Sequence, residues 1–282
     1  HVHFLTRVPS PKVILQAFAE IRPHVVIAVP LIIEKVYKSK LKPIIDRNKM
    51  IMSLPIIDKV IQKKILKELT AAFGGNFYEV IIGGAAFNPE VEAFFKKIGF
   101  PLTVGYGMTE CAPIITYADW KEARLTSCGR EVMNMKVRID SSDPENIPGE
   151  IQVSGPNVFL GYYKNEQATA EVTTDDGWFR TGDMGIIDKD GFLYIRGRSK
   201  CMILGPSGQN IYPEEIEAVV NNVNYVVDSL VIEDNGNLVS LIFPDYHQAE
   251  LDGLSKEQLE ERINAALPEI NKQIPNYAKI SK

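Results

Sequence analysis

The sequence predicts an α/β chain with three parts. Parallel α/β layers come first, then a small, mostly antiparallel β portion, then a compact α+β unit. Three observations carry this. Residues 1 to 130 alternate helical and strand patterns. After about residue 130 the apolar runs shorten and are punctuated by Gly, Pro and Asp. Beyond residue 199, helical patterns flank a hairpin signal. The boundaries read from these shifts are 1–130, 131–198 and 199–282.

Ser10-Pro11 opens a helix to Ile21, with Pro11 at the first helical position, where its missing N–H costs nothing. Val25 to Val29 is a β-branched run, expected as a buried strand. Residues 31–48 and 56–72 read as helices, split near Pro55. Glu79 to Ile82 is a short strand that stops at Gly83-Gly84. Asn88-Pro89-Glu90 starts a helix, with Asn88 as its cap. Val91, Phe94, Phe95 and Ile98 form its apolar stripe, and Gly99 ends it. Phe100 to Val104 is the next strand. Strand, helix, strand at this spacing implies a parallel layer.

Lys136 to Ile139, Gly149 to Ser154 and Phe192 to Ile195 are short strands. Asp190-Gly191, between Ile186-Ile187 and Phe192-Tyr194, is a hairpin signal. In the last part Pro213-Glu214-Glu215 opens a helix to Asn221. Val226 to Glu233 and Leu238 to Phe243 flank a second hairpin signal, Asn235-Gly236. Ser255 opens another helix, and Gln258 completes a capping box; this helix is expected to stop at about Ala266, before Pro268.

The chain carries a net charge of −5, and no Lys/Arg stripe interleaved with aromatics stands out, which disfavours a nucleic-acid partner. The longest apolar stretch, Val25 to Ile33, is nine residues and contains Pro30, against roughly 20 needed to span a bilayer. Neither a transmembrane segment nor a signal peptide is read. Cys111, Cys128 and Cys201 are odd in number and far apart, which fits a reducing, cytoplasmic setting. The four histidines show no metal spacing.

The chemistry concentrates in Val104-Gly105-Tyr106-Gly107-Met108-Thr109-Glu110. A strand that stops at glycines lets backbone approach a ligand closely, Tyr106 offers a flat face, and Thr109 and Glu110 offer oxygen ligands suited to Mg²⁺. The plain alternative is a strand-to-helix turn capped by Thr109. Four further segments accompany it: Gly83-Gly84-Ala85; Trp178-Phe179-Arg180-Thr181-Gly182-Asp183; Gly191 to Lys200, containing Arg196-Gly197-Arg198-Ser199-Lys200; and Gly208-Gln209-Asn210-Ile211-Tyr212-Pro213-Glu214-Glu215-Ile216-Glu217. Taken singly, Asp183 reads as a turn aspartate, Arg198 and Lys200 as solvated strand-end charges, and Trp178 and Phe179 as core. Glu214, Glu215 and Glu217 read as a first-turn charge cluster without a catalytic role. Cys111 has no histidine near it in sequence and reads as packing.

In this order the five segments closely resemble the acyl-/aryl-CoA synthetase (adenylate-forming, AMP-binding) superfamily, nearest its long-chain fatty acid–CoA ligases. Leu5-Thr6-Arg7-Val8-Pro9 and Ala28-Val29-Pro30 also look like that branch. The resemblance implies part of a large adenylate-forming domain followed by a small C-terminal lid domain. It implies ATP/AMP, Mg²⁺ and CoA as partners, with a fatty acid as substrate. Carboxylate attack on the α-phosphate of ATP would give acyl-AMP and pyrophosphate; CoA thiol would then release AMP. By the same resemblance Gly83, Gly84 and Ala85 lie against adenine and the acyl pocket. Tyr106 stacks on adenine, with Gly105 and Gly107 flanking it. Thr109 meets the α-phosphate, Glu110 helps hold Mg²⁺, and Asp183 accepts the ribose hydroxyls. Arg198 reaches ribose or phosphates, Lys200 is the pivot of the small domain, and Gly208 faces the pantetheine of CoA.

The sequence departs from that pattern in two places. No Ser/Thr/Gly-rich phosphate loop is found, and Lys279 is not expected to be the family's adenylation lysine. The chain opens on His1 rather than Met and reads as a piece of a longer protein. Carboxylate-dependent ATP–pyrophosphate exchange is therefore not expected from these 282 residues alone. Any peripheral membrane contact would come through the missing part. Two other readings stay open: an adenylation domain that loads a carrier protein, and a nucleotide-binding module without catalysis.

Overall fold

A computed structural model describes residues 2–3, 11–48, 55–205 and 208–282. The motif Leu5 to Pro9 and the residues Ser10, Pro206 and Ser207 lie outside these. The chain packs as two compact units. One comprises 1–137, 153–166 and 189–194; the other comprises 138–152, 167–188 and 195–282.

The first unit begins with α1 (Pro11–Ile21), β1 (Val25–Ala28) and α2 (Pro30–Val36). The helix expected over 31–48 is interrupted by a π-helical turn, Tyr37–Leu41, before α3 (Lys42–Asn48). Next come α4 (Pro55–Ala72), β2 (Glu79–Ile82), α5 (Pro89–Lys97) and β3 (Leu102–Val104). The strands pair in the order β1-β2-β3. Both pairs are parallel, with Ala28 opposite Ile82 and Ile82 opposite Val104. Local chemistry sets α5 as read: the Asn88 side chain accepts from the N–H groups of Glu90 (2.9 Å) and Val91 (3.2 Å). Phe73, Phe77, Phe95 and Phe100 pack ring on ring at centroid distances of 5.1–5.5 Å.

One expectation about this sheet is corrected. Its first strand is an edge strand with one open face: Ile27 is 80% exposed, while Val26 is buried. A β-branched run specifies a strand, but only its neighbours decide whether both faces are covered. Val80 and Ile82 of β2, flanked on both sides, are fully buried.

A short sheet follows, β4 (Tyr106–Gly107), β5 (Ile114–Tyr117) and β6 (Arg130–Glu131), antiparallel throughout. The sequence reading missed it. Buried Glu79 ties it back to β2. Its carboxylate accepts from the Tyr117 hydroxyl at 2.6 Å and from the Trp120 backbone N–H at 2.7 Å.

A four-stranded sheet is built from β7 (Lys136–Asp140), β8 (Gly149–Ser154), β9 (Phe179–Ile187) and β10 (Leu193–Arg198), in the order β10-β9-β8-β7. The exposed helix α6 (Glu166–Glu171) precedes β9. The second unit ends with the β11 (Ile203–Leu204) and β12 (Asn210–Ile211) hairpin, α7 (Pro213–Val220), and the hairpin β13 (Val226–Asp234) with β14 (Asn237–Pro244). Asn235 and Gly236 both take positive φ, as a two-residue hairpin turn requires. Then come α8 (Tyr246–Leu251), α9 (Lys256–Ala265) and α10 (Leu267–Gln273). The capping box of Ser255 and Gln258 is formed. As expected, α9 stops at Ala265 with Ala266 as its C-cap, and Pro268 sits in the first turn of α10, where proline is tolerated. Ile216, Val220, Val231, Leu259 and Ile263 form the core of this end of the unit.

Candidate active site

The residues singled out by the sequence fall into two groups, one in each unit. In the first unit they line the C-terminal ends of β2 and β3. This is where open parallel sheets hold ligands. Gly83 follows β2 and donates its N–H to Ala28 at 3.2 Å; Gly105 follows β3 and donates to Ile82 at 2.9 Å. Gly84 and Ala85 continue from Gly83 on the exposed surface. The strand ends thus bring Gly83 beside Gly105, whose carbonyl oxygen would lie 3.5 Å from a Cβ on Gly83.

Tyr106 and Gly107 form β4. Tyr106 is 7% exposed. Gly107 is fixed by close packing: a Cβ there would lie 2.0 Å from the Pro113 carbonyl oxygen. The expectation that Thr109 caps a helix is corrected. Met108 holds the cap position without a side-chain cap bond, and the helix is a single 3₁₀ turn, Thr109–Cys111. Ala112 ends it in the left-handed region. Thr109 is left exposed at the tip. Cys111 is fully buried, and burial, with Glu110 beside it, raises its thiol to about 11; it packs, and is no ready nucleophile.

A brace around this turn was not legible in the sequence. The Asn157 amide donates to the carbonyls of Cys111 (2.7 Å) and Ile114 (2.9 Å). The Phe159 N–H donates to the Glu110 carbonyl at 2.7 Å. The Tyr162 hydroxyl donates to Glu110 Oε1 at 3.0 Å. Desolvation first, and then the carboxylate, raise the Tyr162 phenol above its ordinary value. Among the described residues, no group of three His, Cys, Asp or Glu side chains gathers into a metal cage. A single oriented carboxylate suits Mg²⁺, which keeps waters and takes further oxygens from phosphates.

In the second unit Asp183 lies inside β9, so the turn-aspartate reading is corrected. Its side chain is 13% exposed, and its carboxylate lies 3.4 Å from Arg198 Nε at the end of β10. Backbone bonds align the two strands here, with Ser199 N–H donating to the Gly182 carbonyl at 2.9 Å. The Thr181 hydroxyl reaches across to the Ile151 carbonyl.

The α7 acids do more than decorate a helix start. Glu214 Oε1 accepts the Arg198 backbone N–H at 3.2 Å, and Glu215 lies 3.4 Å from Arg196. Burial raises the Glu215 carboxyl, with Arg196 opposing. Lys200 is exposed in the turn after β10. Gly208 sits at the tip of the β11–β12 hairpin with φ +81° and donates its N–H to Gly205 at 2.9 Å.

Comparison with known proteins identifies the family of the chain. Residues 1–163 match the family model described as AMP-binding enzyme, and residues 202–282 match its C-terminal domain. A long-chain-fatty-acid–CoA ligase of Mycobacterium bovis, FadD15, is 31% identical over 245 residues, covering 79% of this chain and 40% of the relative. A 2-succinylbenzoate–CoA ligase of Bacillus cytotoxicus is 38% identical over 180 residues, covering 60% of this chain and 37% of the relative. Among solved structures, an ATP-bound RpMatB-BxBclM chimera superposes with a TM-score of 0.69 at 25% identity, over 97% of this chain and 49% of the other. The o-succinylbenzoate CoA synthetase of Bacillus subtilis, in complex with ATP and magnesium ion, shares the fold at a TM-score of 0.67 and 22% identity, over 97% of this chain and 50% of the other. The chain spans less than half the length of these curated relatives. No helix among the described residues is long and apolar enough to cross a membrane.

Proposed function

The chain belongs to the AMP-binding enzyme family, and we propose that it is part of an ATP-dependent acid–thiol ligase that activates a carboxylate as acyl-AMP and passes it to CoA. The observation that carries this reading is the braced turn at Thr109 and Glu110, set where two parallel strands end. A turn fixed from behind by Asn157, Phe159 and Tyr162 keeps its outward groups pre-organised.

In this reading the substrate carboxylate attacks the α-phosphorus of ATP. A P–O bond forms, the bond to the β-phosphate oxygen breaks, and pyrophosphate leaves. In the second step the thiol sulfur attacks the acyl carbon, AMP leaves with the bonding pair, and the thiol proton passes to solvent or base. Tyr106 supplies the adenine face between Gly105 and Gly107. Gly83, Gly84 and Ala85 supply close-approach backbone. Thr109 donates to the α-phosphate, whose charge a Mg²⁺ ion held by Glu110 would offset. Asp183 accepts the ribose hydroxyls, an ionised carboxylate being suited to bidentate acceptance. Arg198 meets ribose or phosphate, Lys200 is the pivot, and Gly208 faces the thiol carrier.

A fatty acid is the proposed carboxylate, supported by the relative that covers 79% of the chain. The 38% identity to a 2-succinylbenzoate ligase supports an aromatic acid as the second reading. Calorimetric titration of this chain with AMP, and with non-hydrolysable palmitoyl and o-succinylbenzoyl adenylates, tests both. Affinity for AMP is expected, strengthened by the palmitoyl arm. Absence of AMP binding overturns the nucleotide site; stronger binding of the aromatic adenylate overturns the fatty acid.

A further inference from the structure

The outer face of α4 carries a row of lysines that no part of the proposed site uses. Lys59, Lys63 and Lys67 repeat at i, i+4 and i+8, Lys64 joins them, and all four are exposed. Val60 lies among them, 63% exposed. The opposite face is committed to the core through Ile65 and Leu69, which fixes the lysines outward.

This is not an ordinary solvated face. Surface helices normally intersperse signs, so that an acid four residues away offsets each base. Here the residue four on from Lys59 is Lys63, and four on from that is Lys67, a spacing at which like charges oppose the helix. Of the two acids in α4, Asp58 is engaged by Lys97 at 3.1 Å, and Glu68 stands four residues on from Lys64 but at no such spacing from Lys59, Lys63 or Lys67. Among the described residues none of the four lysines has an acidic partner. Residues 30–48 and 55–72 together hold nine Lys/Arg against four Asp/Glu, net +5, in a chain of net −5. These two stretches of sequence are therefore net positive in a chain that is net negative.

A flat field of anions over an apolar layer would complete such a face. Ammonium groups would meet phosphates while the lysine stems and Val60 rest on hydrocarbon. We propose that the α4 face binds anionic lipid headgroups and seats this unit on a bilayer surface. Clusters of four or more basic residues on one helix are a recognised footprint of such binding. Nucleic acid fits less well, because α4 presents neither aromatic side chains for stacking nor arginines for bidentate phosphate contact. The choice of occupant rests on the fatty acid reading, since such a substrate partitions into bilayers.

The test is co-sedimentation of the chain with phosphatidylcholine vesicles, with and without phosphatidylglycerol, without nucleotide. Binding is expected only to the anionic vesicles at about 0.1 M salt, and release at about 1 M, where the Debye length falls to about 3 Å. Neutralising each lysine is expected to weaken binding about fivefold. Lys59→Gln, Lys63→Gln and Lys67→Gln together should then cost about a hundredfold, while Lys189→Gln, distant in sequence, should leave binding unchanged. Equal binding to neutral vesicles, absence of binding to anionic ones, insensitivity to salt or to the triple substitution, or tighter binding to duplex DNA would each overturn the proposal. The salt series uses the unmodified chain and does not depend on how the variants fold. AMP titration is read separately, so failure of the ligase reading and failure of the lipid face are distinguishable.

Discussion

Tyr162 Oη donates to Glu110 Oε1 at 3.0 Å, across 52 residues of sequence. The bond leaves Glu110 Oε2 for another partner and sets the direction in which it points. Tyr162→Phe is expected to cost about 1 kcal/mol of stability, the net worth of one partly exposed hydrogen bond. It should also weaken the Mg²⁺-dependent part of nucleotide binding while sparing the Mg²⁺-independent part. Denaturant melts and titrations with and without Mg²⁺ check this; an unchanged Mg²⁺ dependence would remove Tyr162 from any positioning role.

Asp183 and Arg198 are each other's partners at 3.4 Å. If Asp183 accepts ribose hydroxyls, Asp183→Ala should lower AMP affinity about tenfold to a hundredfold, the range of one or two hydrogen bonds to a charged group. Asp183→Asn, which keeps one acceptor, should lose less. Retained affinity in the alanine variant assigns Asp183 to strand pairing alone.

Gly197 and Glu214 form a steric pair. A Cβ on Gly197 would lie 2.5 Å from Glu214 Oε2, a buried oxygen without a hydrogen-bond partner. Gly197→Ala is expected to cost about 1–3 kcal/mol as overpacking. In a Glu214→Ala background the same change should cost markedly less, and a double-mutant cycle measures the difference. Strict additivity would show that the carboxylate yields without penalty.

Glu92 provides the pH test. It is buried, and burial raises its carboxyl to about 6, against opposition from the Thr126 N–H that it accepts at 3.0 Å. The folded state therefore binds more protons than the unfolded one between about pH 4.5 and 6, and stability falls as pH rises through that window. The shift corresponds to about 2 kcal/mol at neutral pH. Glu92→Gln keeps an acceptor for Thr126 and should flatten that slope. It should also stabilise the protein at pH 7 by up to about 2 kcal/mol, read from denaturant melts across the pH range.

What the sequence disclosed follows locality. The Asn88 cap, the Asn235-Gly236 turn and the Ser255–Gln258 box are decided by residues within four positions of one another, and all three are formed. The parallel layer was legible because its strands carry β-branched runs. Long-range partners were not. Thr181-Gly182-Asp183 is written in turn residues, yet it lies mid-strand because β8 and β10 pair on either side. The brace on Glu110 comes from a segment 43 to 52 residues away whose residues announce nothing on their own. Glu214 and Glu215 satisfied a helix-start pattern so well that their reach back to β10 was hidden behind it. The open face of β1 is the same lesson on a sheet.

Gly107 and Gly208, both given roles above, obey different rules, and this bears on how the protein could be re-engineered. Gly107 is a spacer: the Pro113 carbonyl fills the volume a side chain would need, and a saturation library there should return glycine only. Gly208 is a joint: its backbone angle is unusual, but the space around its Cβ is empty. Asparagine and aspartate, which tolerate that conformation, should survive there. Diversification therefore has room at Gly208 and almost none at Gly107.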